Sequence, residues 1–163
     1  MVKVLIKKLN PKVRLPEYKT SGSSGMDIMA FLENKVEIEQ NNSALIPTGL
    51  SKAIPSDCEI QIRPRSGLAV KSNISVLNTP GTIDSDYRGE IKIILFNHSS
   101  KKFEVYNNDR IAQMVLMPVL KLILMKLMSY QKLIEDRVDL DPQVNEECSK
   151  SVSYTHLTLP PKA

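Results

Sequence analysis

Short stretches in which apolar and polar residues alternate recur along the first two thirds of the chain. They are "VKVLIKK", "KVEIEQ", "CEIQIRP", "EIKIILFN" and "KFEVYNN", and their period of two is that of a β-strand with one buried face. Turn-forming segments such as "SGSSG", "PTG", "TPG" and "NND" separate them. Many short strands joined by frequent turns are typical of a sandwich or barrel. The sequence therefore predicts an all-β, jelly-roll-like domain over residues 1–120.

The bulk composition supports one soluble domain with an aliphatic core. The chain has 163 residues, of which 42% are apolar and 25% charged, and it contains no Trp and only three Phe. The longest apolar stretch, residues 114–128, is interrupted by Pro118 and two lysines and is too short to span a bilayer. The first ten residues lack the unbroken apolar run of a signal peptide. We therefore expect a cytoplasmic protein with no membrane partner.

Cysteine, histidine and net charge narrow the chemistry. Two cysteines and two histidines are too few and too scattered for a zinc site. Reduced thiols are favoured over a Cys58–Cys148 disulfide, and Cys58 is expected to pack in or beside a strand. The net charge of +4 suits an anionic partner, either a nucleotide or a nucleic acid, and does not choose between them.

The character of the chain changes beyond Pro118. Apolar residues follow at 122, 123, 125, 127, 128, 133 and 134, a spacing that predicts a roughly helical stretch ending before Pro142. None of the six glycines lies beyond Gly89. That is unusual for a β domain, because its turns commonly need glycine.

Two polar segments accompany the predicted turns in the first half of the chain. In "SSGMDIMA", residues 23–30, Asp27 is expected to cap a turn that enters a strand. In "RPRSGLA", residues 63–69, two arginines, a serine and a glycine follow a strand. Arginine supplies fixed donors for phosphate oxygens, and glycine lets backbone N–H groups approach an anion. A helix beginning at Leu68 and Ala69 would add a favourable dipole, so phosphate binding is favoured over a solvated turn.

The third segment, "NTPGTIDSDYRGE", spans residues 78–90. The amide of Asn78 offers both a donor and an acceptor, which suits the edge of a base. Asp84 follows Ile83 and is expected to project from the opposite side of a hairpin arm. Tyr87 presents a flat ring that can stack on a sugar or base. An ordinary hairpin with Asp and Gly turn formers is an equally good interpretation of this segment by itself.

The fourth segment, "NDRIAQM", spans residues 108–114. Asp109 and Arg110 are expected to pair, and Gln113 by itself is best interpreted as a buried core amide with a hydrogen-bonding partner. Together, the four segments supply phosphate donors, a base-edge reader, a ring and a carboxylate. They fit a nucleoside polyphosphate that carries Mg²⁺ on its phosphates and is attacked by a water activated by one carboxylate.

In this order, the four segments resemble the first four of the five motifs of the trimeric dUTP diphosphatase (dUTPase) family. The resemblance covers residues 1–120, and its second and third motifs are long and specific. It implies a β jelly-roll homotrimer with active sites between subunits, which hydrolyses dUTP to dUMP and pyrophosphate with Mg²⁺ as cofactor. The expected partners are dUTP and further copies of the chain, not nucleic acid.

The resemblance also assigns roles to individual residues. Asp84 becomes the general base that orients the attacking water at the α-phosphorus, and Asp86 a turn acid. It implies no direct metal ligand, because Mg²⁺ is held by the substrate phosphates with indirect support from Asp27. The implied substrate-binding residues are Arg65, Ser66, Gly67, Asn78, Thr82, Ile83, Asp84, Tyr87, Lys92 and Gln113.

Each part of the nucleotide is thereby matched to a group on the chain. Residues 65–67 hold phosphates, and Gln113 reaches the phosphates or the water. Asn78 and the backbone of residues 82–83 read uracil. Tyr87 packs under the deoxyribose and crowds out a ribose 2′-hydroxyl.

The chain departs from the family pattern in several places. Ser24 stands where Ala is frequent, and Asn108 where Gly is usual, although Asn tolerates a left-handed turn. The fifth motif, a Gly-rich Arg-Gly…Gly-Phe-Gly-Ser-Thr-Gly segment that closes over the phosphates, is missing. An impaired or non-catalytic trimeric nucleotide-binding protein is therefore the alternative to an active enzyme. A dCTP deaminase of the same fold fits "TIDSDYRG" less well.

Residues 121–163 are accordingly expected to be an aberrant tail, helical or disordered. Codons can be chosen for residues 134–145 so that a shifted frame reads Gly-Gln-Gly-Gly-Phe-Gly-Ser-Thr-Gly followed by a stop. The final "VSYTHLTLPPKA" looks like a translated sequencing adapter. The sequence thus predicts a frameshift that removed the fifth motif.

Overall fold

A computed structural model of the chain describes residues 2–124. They contain eleven strands and one short helix. The elements are β1 Leu5–Lys8, β2 Met26–Met29, β3 Val36–Ile38, β4 Ser43–Pro47, β5 Leu50–Ala53, β6 Cys58–Arg63, α1 Ser66–Ser72, β7 Ile74–Val76, β8 Gly81–Ile83, β9 Lys92–Asn97, β10 Phe103–Val105 and β11 Arg110–Pro118.

The strands form antiparallel sheets, which confirms the predicted all-β class. A four-stranded sheet has the order β2-β11-β6-β8, and a three-stranded sheet the order β4-β9-β7. Two further pairs are β1 with β5 and β10 with β3. The five alternating stretches contain β1, β3, β6, β9 and β10, as predicted.

The chain divides into two units, Met1–Lys121 and Leu122–Ala163. The sheets described above all belong to the first unit. Of the tail that is expected to be helical or disordered, only residues 121–124 are described, and they have no regular structure. The rest of the tail, including Cys148, lies outside the described residues.

The core is aliphatic, as the composition predicts. Isoleucine is its commonest residue, and the β-branched side chain suits a pleated surface. Strand β6 shows how the pattern works: Ile60 and Ile62 are 1% and 3% exposed, whereas Glu59 and Gln61 between them are half-buried. Burying one such isoleucine contributes roughly 1.5–3 kcal/mol. Cys58, the first residue of β6, is a buried free thiol whose pKa is raised by burial.

Helix α1 connects β6 to β7 and ends at a left-handed Asn. Asn73 has φ 53°, and its N–H bonds back to carbonyls of the last turn, an arrangement that Asn tolerates better than most residues. Asn108 likewise has φ 67°, as the sequence predicts for a residue in a glycine position. Among residues 2–124, no helix is long and apolar enough to cross a membrane.

The segment between β8 and β9 is irregular and is fixed by side chains near β5. Thr48 Oγ1 donates to the Ile91 carbonyl at 2.6 Å, and Ser51 Oγ donates to the Arg88 carbonyl at 2.8 Å. Because the segment lacks a complete ladder of its own, these bonds satisfy carbonyls that would otherwise lack partners. They also set the position of the third polar segment relative to the core.

Candidate active site

A cavity of about 300 Å³ lies beside the β8–β9 connection. Its wall is largely apolar with a few polar groups, and its volume is at the lower end of the roughly 300–1,000 Å³ typical of ligand pockets. It is lined by Leu45, Ile62, Val76, Asn78, Gly81, Thr82, Ile83, Asp84, Tyr87, Glu90, Ile91, Lys92, Ile93 and Ile94. The predicted substrate-binding residues brought together here are Asn78, Thr82, Ile83, Asp84, Tyr87 and Lys92.

The two acids of "TIDSDYRG" occupy different positions. Asp84 directly follows β8, is exposed and lines the cavity. Its main-chain carbonyl accepts the N–H of Tyr87 at 3.2 Å. No donor within residues 2–124 bonds its carboxylate, so both carboxylate oxygens can accept from a water. Asp86 lies in the turn that follows and does not line the cavity.

Tyr87 is held against the hairpin by its neighbours. Its Oη donates to the Glu90 carbonyl at 2.9 Å, and the side chain remains 44% exposed beside the cavity. A Cβ placed on Gly89 would lie 2.7 Å from Tyr87 Cζ. A side chain at position 89 would therefore displace the ring, whereas the backbone of Gly89 does not itself require glycine, because its φ lies outside the left-handed region. The sequence signal for this is the Tyr-Arg-Gly spacing, which the sequence analysis did not use.

The amide of Asn78 packs on the buried Gly81 at the start of β8. A Cβ on Gly81 would lie 3.2 Å from Asn78 Nδ2, so a larger residue would displace the amide. No hydrogen bond within residues 2–124 engages the Asn78 side chain. Its donor and acceptor are thus both available to a ligand in the cavity.

Glu90 links the cavity to the core, a role that the sequence analysis missed. Its Oε1 accepts the Gly49 N–H at 2.8 Å, and its Oε2 lies 3.7 Å from Lys92 Nζ. Gly49 has φ +66°, in the left-handed region that favours glycine. Glu90 therefore fixes the direction of Lys92 at the edge of the cavity.

A second polar cluster lies around Asp27. Its carboxylate is nearly buried and accepts from Arg65 Nε at 2.9 Å and from Arg110 Nη1 at 3.1 Å. The expectation that Asp27 caps a turn is wrong, because it lies within β2 and holds two guanidinium groups. The expected Asp109–Arg110 pair is also wrong: Asp109 accepts the backbone N–H of Tyr106 at 2.8 Å, while Arg110 reaches across to β2.

Arg65 precedes an open helix start. Helix α1 begins at Ser66, two residues earlier than the predicted Leu68, and Arg65 makes no side-chain capping bond there. Ser66 and Gly67 are exposed. A Cβ on Gly67 would have no atom within 4 Å, so packing does not require glycine at this position. Backbone N–H groups at such a start can approach an anion.

Gln113 lies beside this second cluster and is exposed. The interpretation of Gln113 as a buried core amide is wrong. Ala112 and Met114 on either side of it are buried, whereas the Gln113 side chain is open to solvent. It stands in register between Asp27 and Arg63 on the neighbouring strands.

The cavity and the second cluster lie at different strands of the four-stranded sheet. Directly paired residues share a face, so Asp27 and Gln113 lie side by side on β2 and β11. The cavity is lined by the paired residues Ile62 and Gly81 and by Thr82 from the edge strand β8. Strands β2 and β8 form the two edges of this sheet, about 14 Å apart at roughly 4.8 Å per strand.

The described part of the chain supplies no metal cage of its own. Within residues 2–124, no three side chains from His, Cys, Asp and Glu converge as a metal site would require. Both oxygens of Asp27 are already engaged by guanidinium groups.

The sequence profile of the dUTPase family matches residues 11–142. The chain belongs to the dUTPase family. It is 53% identical over 109 residues to the deoxyuridine 5′-triphosphate nucleotidohydrolase of Treponema denticola, a match that covers 67% of this chain and 76% of that protein. With the protein of the same name from Alkaliphilus metalliredigens, the identity is 51% over 121 residues, covering 74% and 83%. The predicted assignment to a family of dUTP diphosphatases is confirmed.

Solved structures share the fold. A mutant dUTPase from Staphylococcus aureus phage phi11, described with a structural Mg(II) ion, superposes with a TM-score of 0.71 at 20% identity, covering 79% of this chain and 99% of that chain. The dUTPase of Staphylococcus bacteriophage 80alpha gives a TM-score of 0.71 at 21% identity, covering 78% and 97%. These neighbours confirm the predicted jelly-roll-like dUTPase fold.

Proposed function

We propose that the chain hydrolyses dUTP to dUMP and pyrophosphate, with Asp84 as the general base. The observation that carries the proposal is the position of Asp84. Its carboxylate lines a cavity of nucleoside size and has no hydrogen-bonding partner within residues 2–124. In a member of the dUTPase family, such a free carboxylate is well suited to hold a water.

The chemistry follows from that position. Asp84 accepts a proton from the bound water as the water oxygen attacks the α-phosphorus. The bond between the α-phosphorus and the oxygen that bridges to the β-phosphorus breaks, and pyrophosphate leaves with that oxygen. General base catalysis by a positioned carboxylate contributes typically about 10²–10⁴-fold.

The nucleoside is recognised inside the cavity. Asn78 pairs with the edge of uracil through its free amide, helped by the backbone of residues 82–83. The ring of Tyr87 packs under the deoxyribose and leaves no room for a 2′-hydroxyl. Lys92, directed by Glu90, lines the same side of the hairpin.

The triphosphate is bound by the second cluster. Arg65 offers guanidinium donors, and Ser66 and Gly67 offer a hydroxyl and open backbone N–H groups. Gln113 reaches the phosphates or the water. Asp27 acts indirectly, because it holds the Arg65 guanidinium and leaves fewer of its rotamers accessible.

The described residues fit an Mg²⁺ ion carried by the phosphates better than one caged by protein ligands, because no carboxylate cluster is available within residues 2–124. When bound, Mg²⁺ neutralises charge on the triphosphate. Asp27 supports this arrangement through Arg65 and not as a ligand.

A homotrimer with active sites between subunits is the proposed assembly. The nucleoside cavity borders the edge strand β8, whereas Asp27 of the phosphate cluster lies on the opposite edge strand β2, about 14 Å away by strand spacing. One chain therefore holds its two half-sites apart. A site that joins the cavity of one subunit to the phosphate cluster of another meets this geometry. A cytoplasmic location stays a prediction from the sequence.

The test is release of pyrophosphate from dUTP and Mg²⁺ by the parent chain beside Asp84→Asn. Turnover in the parent, lost in the variant, supports the proposal. The missing fifth motif favours a second candidate, an impaired nucleotide-binding protein. Tight dUTP binding without pyrophosphate release would select that candidate, and ammonia release from dCTP would select a deaminase.

A further inference from the structure

Lys52 is a buried lysine directly behind the proposed general base. It is 3% exposed on strand β5, and its Nζ donates to the main-chain carbonyl of Asp84. Burial lowers its pKa, and the Arg88 guanidinium lowers it further, while Asp86 and Asp84 act in the opposite direction. Burying an ammonium group is unfavourable, so its retention here calls for a specific role.

The contact fixes the backbone that carries the Asp84 carboxylate. The Asp84 carbonyl accepts from Lys52 and also from the Tyr87 N–H at 3.2 Å. Ser51, the preceding residue of β5, donates its hydroxyl to the Arg88 carbonyl at 2.8 Å. Two adjacent residues of one strand therefore anchor both ends of the turn that contains Asp84.

Lys52 does not belong to the nucleotide cavity. It lines a separate cavity beside the β1–β5 pair, together with Lys7 and Arg88, and it is not among the residues that line the nucleotide cavity. A direct contact between its ammonium group and the substrate is therefore not part of its role.

We propose that Lys52 is a positioning residue for dUTP hydrolysis, which fixes the Asp84 main chain so that the carboxylate holds the water at the α-phosphorus. The inference rests on the proposed role of Asp84. Small displacements of a catalytic group can reduce rates about 10²-fold, whereas binding of the nucleoside and phosphates depends on other residues. The effect should therefore fall on kcat and not on KM.

The first experiment is Lys52→Met, which removes the donor and charge and keeps an unbranched apolar side chain. We expect kcat for dUTP to fall about tenfold to a hundredfold, with KM unchanged. The melting temperature should stay level or rise, because an apolar group replaces a buried charge. Lys7→Met is the matched control, because Lys7 lines the same cavity as Lys52 but is exposed. This variant should retain the parental kcat.

The second experiment separates charge from packing through the pH profile. The charged groups facing Lys52 are Asp84, Asp86 and Arg88 from the turn, whereas its direct partner on β1 is the apolar Ile6. Because the pKa of Lys52 is lowered, the parental kcat should decline at alkaline pH before an ordinary lysine titrates. Lys52→Arg, which stays charged, should fold like the parent and lack that decline.

The outcomes are distinct. Lys52→Met with a parental kcat, or with a loss of kcat that only follows a loss of melting temperature, would overturn the positioning role. An alkaline decline that is the same in the parent and in Lys52→Arg would also contradict it. Retention of turnover in Asp84→Asn would instead refute the proposed function, whatever the Lys52 variants show.

Discussion

The Tyr87 ring lies over Gly89, so closely that a Cβ on Gly89 would come within 2.5 Å of Tyr87 Oη. The Tyr87 ring therefore fills the space that a side chain at residue 89 would need, and its position depends on glycine at that residue. The same hydroxyl donates to the Glu90 carbonyl, which ties the ring to the hairpin. The sugar selection proposed for Tyr87 would thus depend on a residue that does not line the cavity.

Gly89→Ala should displace the Tyr87 ring and weaken discrimination against UTP. The ratio of kcat/KM for dUTP to that for UTP should fall about tenfold, or about 1.4 kcal/mol. Tyr87→Ala should change the ratio in the same direction. Gly22→Ala is the control, because a Cβ there meets no atom within 4 Å. An unchanged ratio in both Gly89→Ala and Tyr87→Ala would show that the ring is not the steric gate.

Asp84→Asn should keep dUTP binding and lose most hydrolysis, because an amide cannot accept the proton of the water. A loss of about 10²-fold or more in kcat is expected. Asp86→Asn is the matched control two residues away, in the turn and outside the cavity, and should be mild. Steady-state pyrophosphate release and equilibrium dUTP binding measure the two effects. An equally severe loss in Asp86→Asn would reverse the assignment of the base.

Asp27→Asn should weaken both stability and phosphate binding. The carboxylate is 6% exposed and paired with Arg65 and Arg110, and breaking a buried pair from one side costs about 3 kcal/mol. Arg65 would lose its fixed orientation, so KM for dUTP should rise. Lys35→Gln, which breaks an exposed ion pair with Glu104, should leave KM and the melting temperature close to those of the parent. A parental KM in Asp27→Asn would contradict the orienting role.

Much of the fold follows from local sequence, whereas the contacts that complete the site do not. Alternation over five or more residues identified β6 and β9, but β8 has only three residues and no alternation to detect. Gln113 was misassigned because its neighbours in "IAQM" are apolar; β11 does not alternate strictly, since two buried residues stand on each side of the exposed Gln113. The bond from Arg110 to Asp27 spans 83 residues, and no local pattern reveals a contact of that separation.

The burial of charged residues was also not predictable from the sequence. Nothing in "GLSKAIP" distinguishes Lys52 from a solvated lysine, since its burial depends on β1 and on the 84–88 turn packing over β5. The four motifs were recognisable because the residues within each segment act together. The bond from Glu90 to Gly49 and the bond from Lys52 to the Asp84 carbonyl join residues far apart in the chain, and finding them required the structure.

The last prediction concerns the coding sequence of residues 120–145, which we propose contains a shifted reading frame. In the shifted frame, each codon takes its first base from the third position of one residue's codon and its second and third bases from the next residue's codon. Codon degeneracy leaves choice mainly in that first base, with further choice where Leu, Ser or Arg has alternative first two bases. Codons for residues 134–145 can then read Arg-Gly-Gln-Gly-Gly-Phe-Gly-Ser-Thr-Gly followed by a stop. That is the missing fifth motif, in the order that the resemblance requires.

The same frame extends without a stop back to Leu120. It can read Ile-Lys-Val-Asp-Phe-Asp-Glu-Val-Asp-Glu-Leu-Ser-Lys-Thr-Asp before the Arg. Methionine has a single codon, which ends in G. The shifted codon that begins at the G of Met125 must encode Glu, and the shifted codon that begins at the G of Met128 can also encode Glu. The shifted segment begins with strict alternation of apolar and polar residues, the period of a strand. The alternating pattern of a strand therefore continues in the shifted frame from residue 120, whereas it stops there in the present frame.

Sequencing the DNA decides the matter, and restoring the frame tests its consequence. If the bases of residues 120–145 encode the Gly-rich segment in the shifted frame, a chain carrying it should hydrolyse dUTP at least about tenfold faster than the present one, because closure over the phosphates excludes water and orders the triphosphate. A chain of equal length with serine replacing the restored glycines is the control, since it lacks the backbone freedom to close over the phosphates. Bases that cannot be shifted to this reading would rule out the frameshift, and equal rates in the present and restored chains would show that the fifth motif does not limit turnover.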